Sequence, residues 1–90
     1  MQIFKAALIN IGNNDTAVVW IDSKHLDDEI YVKKTYDFYK KLFHNAEVVV
    51  MILNEDKHPK YYGKKEIIFE LKKVFWKKLN WQEFSLEESR

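Results

Sequence analysis

Ninety residues with 47% hydrophobic and 16% aromatic content, but only two glycines and one proline, make one folded domain and exclude a disordered or low-complexity chain. The absence of cysteine removes disulfides, thiol nucleophiles and cysteine-ligated zinc or iron–sulfur centres. A net charge of +1 provides no global field to draw the chain to nucleic acid.

Residues 3–11 (IFKAALINI) and 16–21 (TAVVWI) are two β-rich runs. Gly12, Asn13, Asn14 and Asp15 between them tolerate positive φ, so the pair is predicted to form a β-hairpin. Both faces of the first strand are largely apolar, which places it near the centre of a sheet or beneath cover on both sides. Asp27, Asp28 and Glu29 then precede a run in which Val32, Tyr36, Tyr39 and Phe43 follow an i, i+4, i+7, i+11 ladder. Read as a strand, the same run has no consistent polarity. The spacing therefore predicts a helix over 30–44, with acids at its start and Lys40, Lys41 and His44 at its end to complement the dipole.

Residues 47–53 (EVVVMIL) are apolar without alternation, the pattern of a central strand covered on both faces. Their apolar core at 48–53 is the longest such run and is far too short to span a bilayer. The N-terminus lacks a basic region followed by a long apolar stretch, so a cytoplasmic location and no membrane partner are expected. Residues 54–62 (NEDKHPKYY) read as a loop. Residues 63–79 (GKKEIIFELKKVFWKKL) read as one amphipathic helix with Ile67, Ile68, Leu71, Val74, Phe75 and Leu79 on its apolar face. Lys78 falls near the centre of that face, which requires either a snorkelling stem or an earlier helix end. Residues 81–86 alternate weakly and predict a short edge strand, and 87–90 a frayed tail.

The expectation is a single α+β domain over 1–90 in ββαβαβ order. Two helices pack a small, mainly antiparallel sheet of three or four strands. The helix between strands two and three permits that pair to be parallel, which makes the sheet mixed.

No residue constellation carries a strong chemical signal. His25, His44 and His58 lack helical ligand spacing and fall in no metal motif. Ser23, His25 and Asp27 have the residue types of a nucleophilic triad, but they crowd one short segment with no glycine to form a nucleophile elbow. Asp27, Asp28 and Glu29 are read more simply as acids at a helix start. Two glycines cannot build a Walker or dinucleotide loop. Gly63 with Lys57, Lys60, Lys64 and Lys65 resembles an anion site at a helix N-terminus less than a glycine cap among solvated lysines.

Charge is nevertheless segregated, with eight lysines against Glu66 and Glu70 between positions 57 and 78. On a continuous helix Lys65, Phe69, Lys72 and Trp76 share a side opposite the apolar face. The candidate binding surface runs from Lys57, Lys60, Tyr61, Tyr62, Lys64 and Lys65 along Phe69, Lys72 and Trp76. The simplest reading of the two aromatics is that a neighbouring element, the first helix or segment 81–86, covers them. If they are exposed, the leading function is a non-enzymatic protein-interaction or regulatory module that binds a protein partner or itself. The alternative is weak nucleic-acid binding by lysine and stacked aromatics, disfavoured because the only arginine is Arg90. An enzyme of unassigned reaction ranks third, and no cofactor or metal is expected.

Overall fold

The computed structural model describes residues 2–86, so the expected fraying of 87–90 lies outside the described residues. The elements in chain order are β1 (Gln2–Ile11), β2 (Asn14–Ile21), a short 3-10 turn (Ser23–His25), α1 (Glu29–Leu42), β3 (Glu47–Leu53), β4 (Pro59–Tyr62), α2 (Lys65–Leu71), a second 3-10 turn (Trp76–Lys78) and β5 (Trp81–Leu86). They build an α+β fold around one five-stranded mixed sheet in the order β4-β3-β2-β1-β5. β2 and β3 are parallel, joined through α1, and the other neighbours are antiparallel.

The hairpin is tighter than the four turn-formers imply. Ile11 pairs with Asn14, so only Gly12 and Asn13 turn the chain, both at positive φ. That is the geometry of a two-residue hairpin whose twist matches its strands, and glycine and asparagine adopt it at little cost. Asn14 and Asp15 continue into β2.

The strand pleat sorts the core into two layers. Ala7, Val18, Val49, Met51 and Leu53 face α2 and the turn after it, where Ile67, Leu71, Trp76 and Leu79 close the layer. Ala6, Val19, Val48, Val50 and Ile52 face α1, where Val32, Tyr36, Tyr39 and Phe43 close the other. The ladder read from the sequence is therefore the inward face of α1. Met51, Leu71 and Val18 are fully buried; each such side chain contributes about 1.5–3 kcal/mol of burial energy. α1 starts where its acids predict. Asp28 is the N-cap and accepts a hydrogen bond from Tyr31 N at 3.0 Å, and Glu29 occupies the first turn.

Two elements depart from expectation. The segment read as a loop contains β4, whose Tyr61 pairs with Met51 and Tyr62 with Val50. Pro59 opens this strand at the sheet edge, where a missing N–H is tolerated, so the proline did not preclude a strand. Four residues also give too little alternation to register against a loop composition.

The predicted helix over 63–79 is broken. α2 ends at Leu71; Phe75 is extended; Trp76–Lys78 forms the 3-10 turn. In a continuous helix Trp76 would stand about 180° from Ile67 and face solvent. The break turns Trp76 and Leu79 onto the sheet and exposes Val74 and Phe75 instead. Burying the larger indole outweighs the lost helical turns, and the run Val74-Phe75-Trp76 has poor helix propensity. Lys78 is exposed, because the helix ends before it.

Candidate interaction surface

The residues of the predicted surface do not form one patch. Trp76 is 7% exposed. Its ring lies 5.4 Å from Trp20, which lies 5.3 Å from Trp81, and the Trp81 indole N–H donates to the Trp76 carbonyl at 2.9 Å. Segment 81–86 thus covers Trp76, which is core. Phe69 is 66% exposed, with Lys73 Nζ 4.8 Å from its ring centre. Lys65 at the start of this short helix and Lys72 at its C-cap are exposed, and Phe75 beyond it is also exposed.

β4 splits the remaining residues between the two faces of the sheet. Tyr61 points to the α2 layer, where its hydroxyl is buried without a hydrogen-bond partner, and burial raises its pKa above the ordinary value. Tyr62 points the other way, its ring 5.3 Å from Tyr36 of α1. Lys60 pairs with Ile52 and shares the α1 side with Tyr62. Lys57 sits in the β3–β4 turn at positive φ.

Lys64 is held structurally. Its ammonium donates to Glu47 at 3.0 Å, and Lys40 reaches the other oxygen of the same carboxylate at 3.3 Å. The hydrogen bond from Lys64, and then that from Lys40, hold the Glu47 carboxyl below its usual range. Glu47 therefore ties the start of β3 to the end of α1 and the approach to α2. Gly63 lies just before this contact. A Cβ there would stand 3.0 Å from the Val48 carbonyl oxygen, so a close backbone approach requires the glycine.

Of the residues weighed for catalysis, His25 stacks on Tyr31 with ring centres 3.6 Å apart and Asp28 caps α1; Ser23 and His25 lie in the 3-10 turn that Asp22 caps. Among the described residues no group of three or more histidines, acids or cysteines is arranged to hold a metal, and no helix is long and apolar enough to cross a membrane.

A different surface stands out, on the flank of α1 that overhangs β1 and β5. Tyr31, Thr35, Phe38 and Leu42 lie at i, i+4, i+7 and i+11, one side-stripe away from the buried ladder. Phe38 and Leu42 are exposed, as is Leu8 on the adjoining face of β1. Beneath them runs a chain of aromatic contacts. Phe38 meets Tyr39 at 5.0 Å between ring centres, Tyr39 meets Phe4 at 4.9 Å, and Phe4 stacks on Phe84 of β5 at 5.3 Å. Phe43 closes the group 6.3 Å from both Phe4 and Phe84. Phe4, Tyr39, Phe43 and Phe84 are only half-buried.

Partial burial raises the Tyr39 pKa, with a smaller contribution from Tyr31. A hollow of about 490 Å³ extends the flank under the end of α1, between Leu8, Asn10, Leu42, Phe43 and Ala46. Sequence reasoning missed this surface. In the sequence Phe38 and Leu42 merely flank the helix ladder, and nothing local shows that α1 leaves β1 and β5 partly uncovered.

Comparison with protein-family models, characterised proteins and solved structures finds no significant match to this chain.

Proposed function

We propose that the chain is a small non-enzymatic protein-interaction or regulatory module that presents the aromatic flank of α1, β1 and β5 to a partner. The observation that supports this reading is the contrast between layers. The centre of the sheet is closed, with Val18, Val19, Val49 and Val50 fully buried, yet a connected aromatic series beside it remains half open. Aromatic side chains bring large contact area at low entropic cost, and interface cores are enriched in them. The Tyr31, Thr35, Phe38 and Leu42 stripe carries no charged side chain; Lys34 and Lys41 border it on the solvent side of α1, and Asp15 and His44 line the hollow at its end. Such a surface suits an apolar protein face.

The test is site-specific photo-cross-linking in cells that express the protein. A photoreactive residue in place of Phe38 is expected to give a discrete protein adduct. The same residue in place of Lys33, on the opposite flank of α1, is expected to give none. Equal labelling from both positions, or none from Phe38, would overturn the reading.

Weak nucleic-acid binding is the second reading, supported by exposed Phe69 with Lys65, Lys72 and Lys73 around it. Trp76 takes no part in it. This reading requires binding of single-stranded oligonucleotides that weakens steeply with salt and is lost in Phe69→Ala.

A further inference from the structure

We infer that β5 is a pairing edge for a second copy of this chain, joined antiparallel about a two-fold axis at Phe84; the inference rests on the aromatic flank being an interaction surface. Among the described residues the sheet has two unpaired edges, and they differ. β4 is four residues long, opens with Pro59 and carries Lys60, devices that blunt an edge against pairing. β5 is six residues long, with no proline and no lysine. Its one charge, Glu83, lies across from Lys5 on the α2 side of the sheet. The opposite face of β5 carries Phe84, stacked on Phe4 and continuous with the exposed flank. Phe84 at this edge, with uncharged Gln82 beside it on the same face, can meet a second copy of itself without opposing charges, which is what an isologous contact requires.

The two-fold axis limits the register. Extending the sheet edge to edge places the axis perpendicular to it, so residues of like face must meet. Centring on Glu83 sets the two Glu83 carboxylates directly opposite, which is unfavourable. Centring on Phe84 sets Phe84 against Phe84 of the second copy, Gln82 against Leu86, and Glu83 against Ser85. This register opposes no like charges within the strand. It yields a continuous ten-stranded sheet with both aromatic clusters on one face, either side of the axis.

Sedimentation across micromolar to millimolar concentrations tests this with the whole chain. Wild type is expected to dimerise. Ser85→Glu places a carboxylate opposite Glu83 twice per dimer and is expected to raise the dissociation constant roughly 2- to 30-fold; Ser85→Lys is expected to lower it by a similar factor. Ser85 is exposed, so at concentrations dilute enough to keep every chain monomeric both variants should melt like wild type, and that matched melt is the control for folding. A dimer indifferent to both substitutions, or shifted the same way by both, would overturn the pairing. A chain that stays monomeric would also overturn it while leaving the flank available to another protein, which cross-linking at position 38 reports separately.

Discussion

Replacing Trp76 with alanine separates the broken-helix structure from a continuous amphipathic helix. In a continuous helix Trp76 is a solvent-facing side chain, and truncation costs little. In this fold it is 7% exposed and packs against Trp20 within the layer that includes Leu71 and Leu79. Truncating a buried tryptophan costs about 3–5 kcal/mol, from lost transfer energy and the cavity left behind. For a domain of this size each kcal/mol lowers Tm by about 4–8 °C, so a fall of about 12–40 °C is expected.

Phe69→Ala is the matched control. Its ring is 66% exposed, and it loses mainly a contact with Lys73, so its cost should stay below about 1 kcal/mol. Thermal and urea melts of the two variants, followed by far-UV circular dichroism because Trp76 is itself a fluorophore, give the comparison. Equal costs for the two substitutions, or a cost below about 1 kcal/mol for Trp76→Ala, would refute the packing described.

Tyr61→Phe should stabilise the domain by about 1 kcal/mol, because it removes a buried hydroxyl that has no partner; a loss of stability in urea would show that the hydroxyl is satisfied. Glu47→Gln should destabilise at neutral pH by releasing Lys64 and Lys40. The Glu47 carboxyl is depressed in the folded state, so its contribution is present above the ordinary value of 4.5 and is lost as pH falls through the folded value. The difference between variant and wild type in urea melts should therefore narrow below pH 4.5, and a gap that widens there would contradict the sign.

Much of the fold can be read from local pattern. The strand over 47–53 appears with the same bounds, segment 81–86 is an edge strand, and the ladder from Val32 to Phe43 is the buried face of α1. These elements have a single period or a uniform apolar run, and tertiary packing reinforces what the chain favours locally. β4 was hidden because its strand character comes from pairing with β3, and a short segment beginning with proline shows none of its own. The helix predicted over 63–79 is too long because periodicity counts apolar positions without weighing their size, and burying one tryptophan reorients the whole turn. The predicted surface fails for the same reason, because it requires Phe69 and Trp76 to share a side. The flank of α1 depends on where the helix sits across the sheet, a property of five strands together that no single segment encodes.

The central claim is that this flank, rather than the α2 surface, meets the partner. It is tested most directly by combining cross-linking at position 38 with paired substitutions. Leu8→Ser with Leu42→Ser removes two exposed apolar groups from the flank, and Phe69→Ser with Phe75→Ser removes two from the α2 side. The discrete adduct is expected to disappear in the first variant and persist in the second, with both chains folded. An adduct that survives loss of the flank residues and disappears with Phe69 and Phe75 would contradict the account.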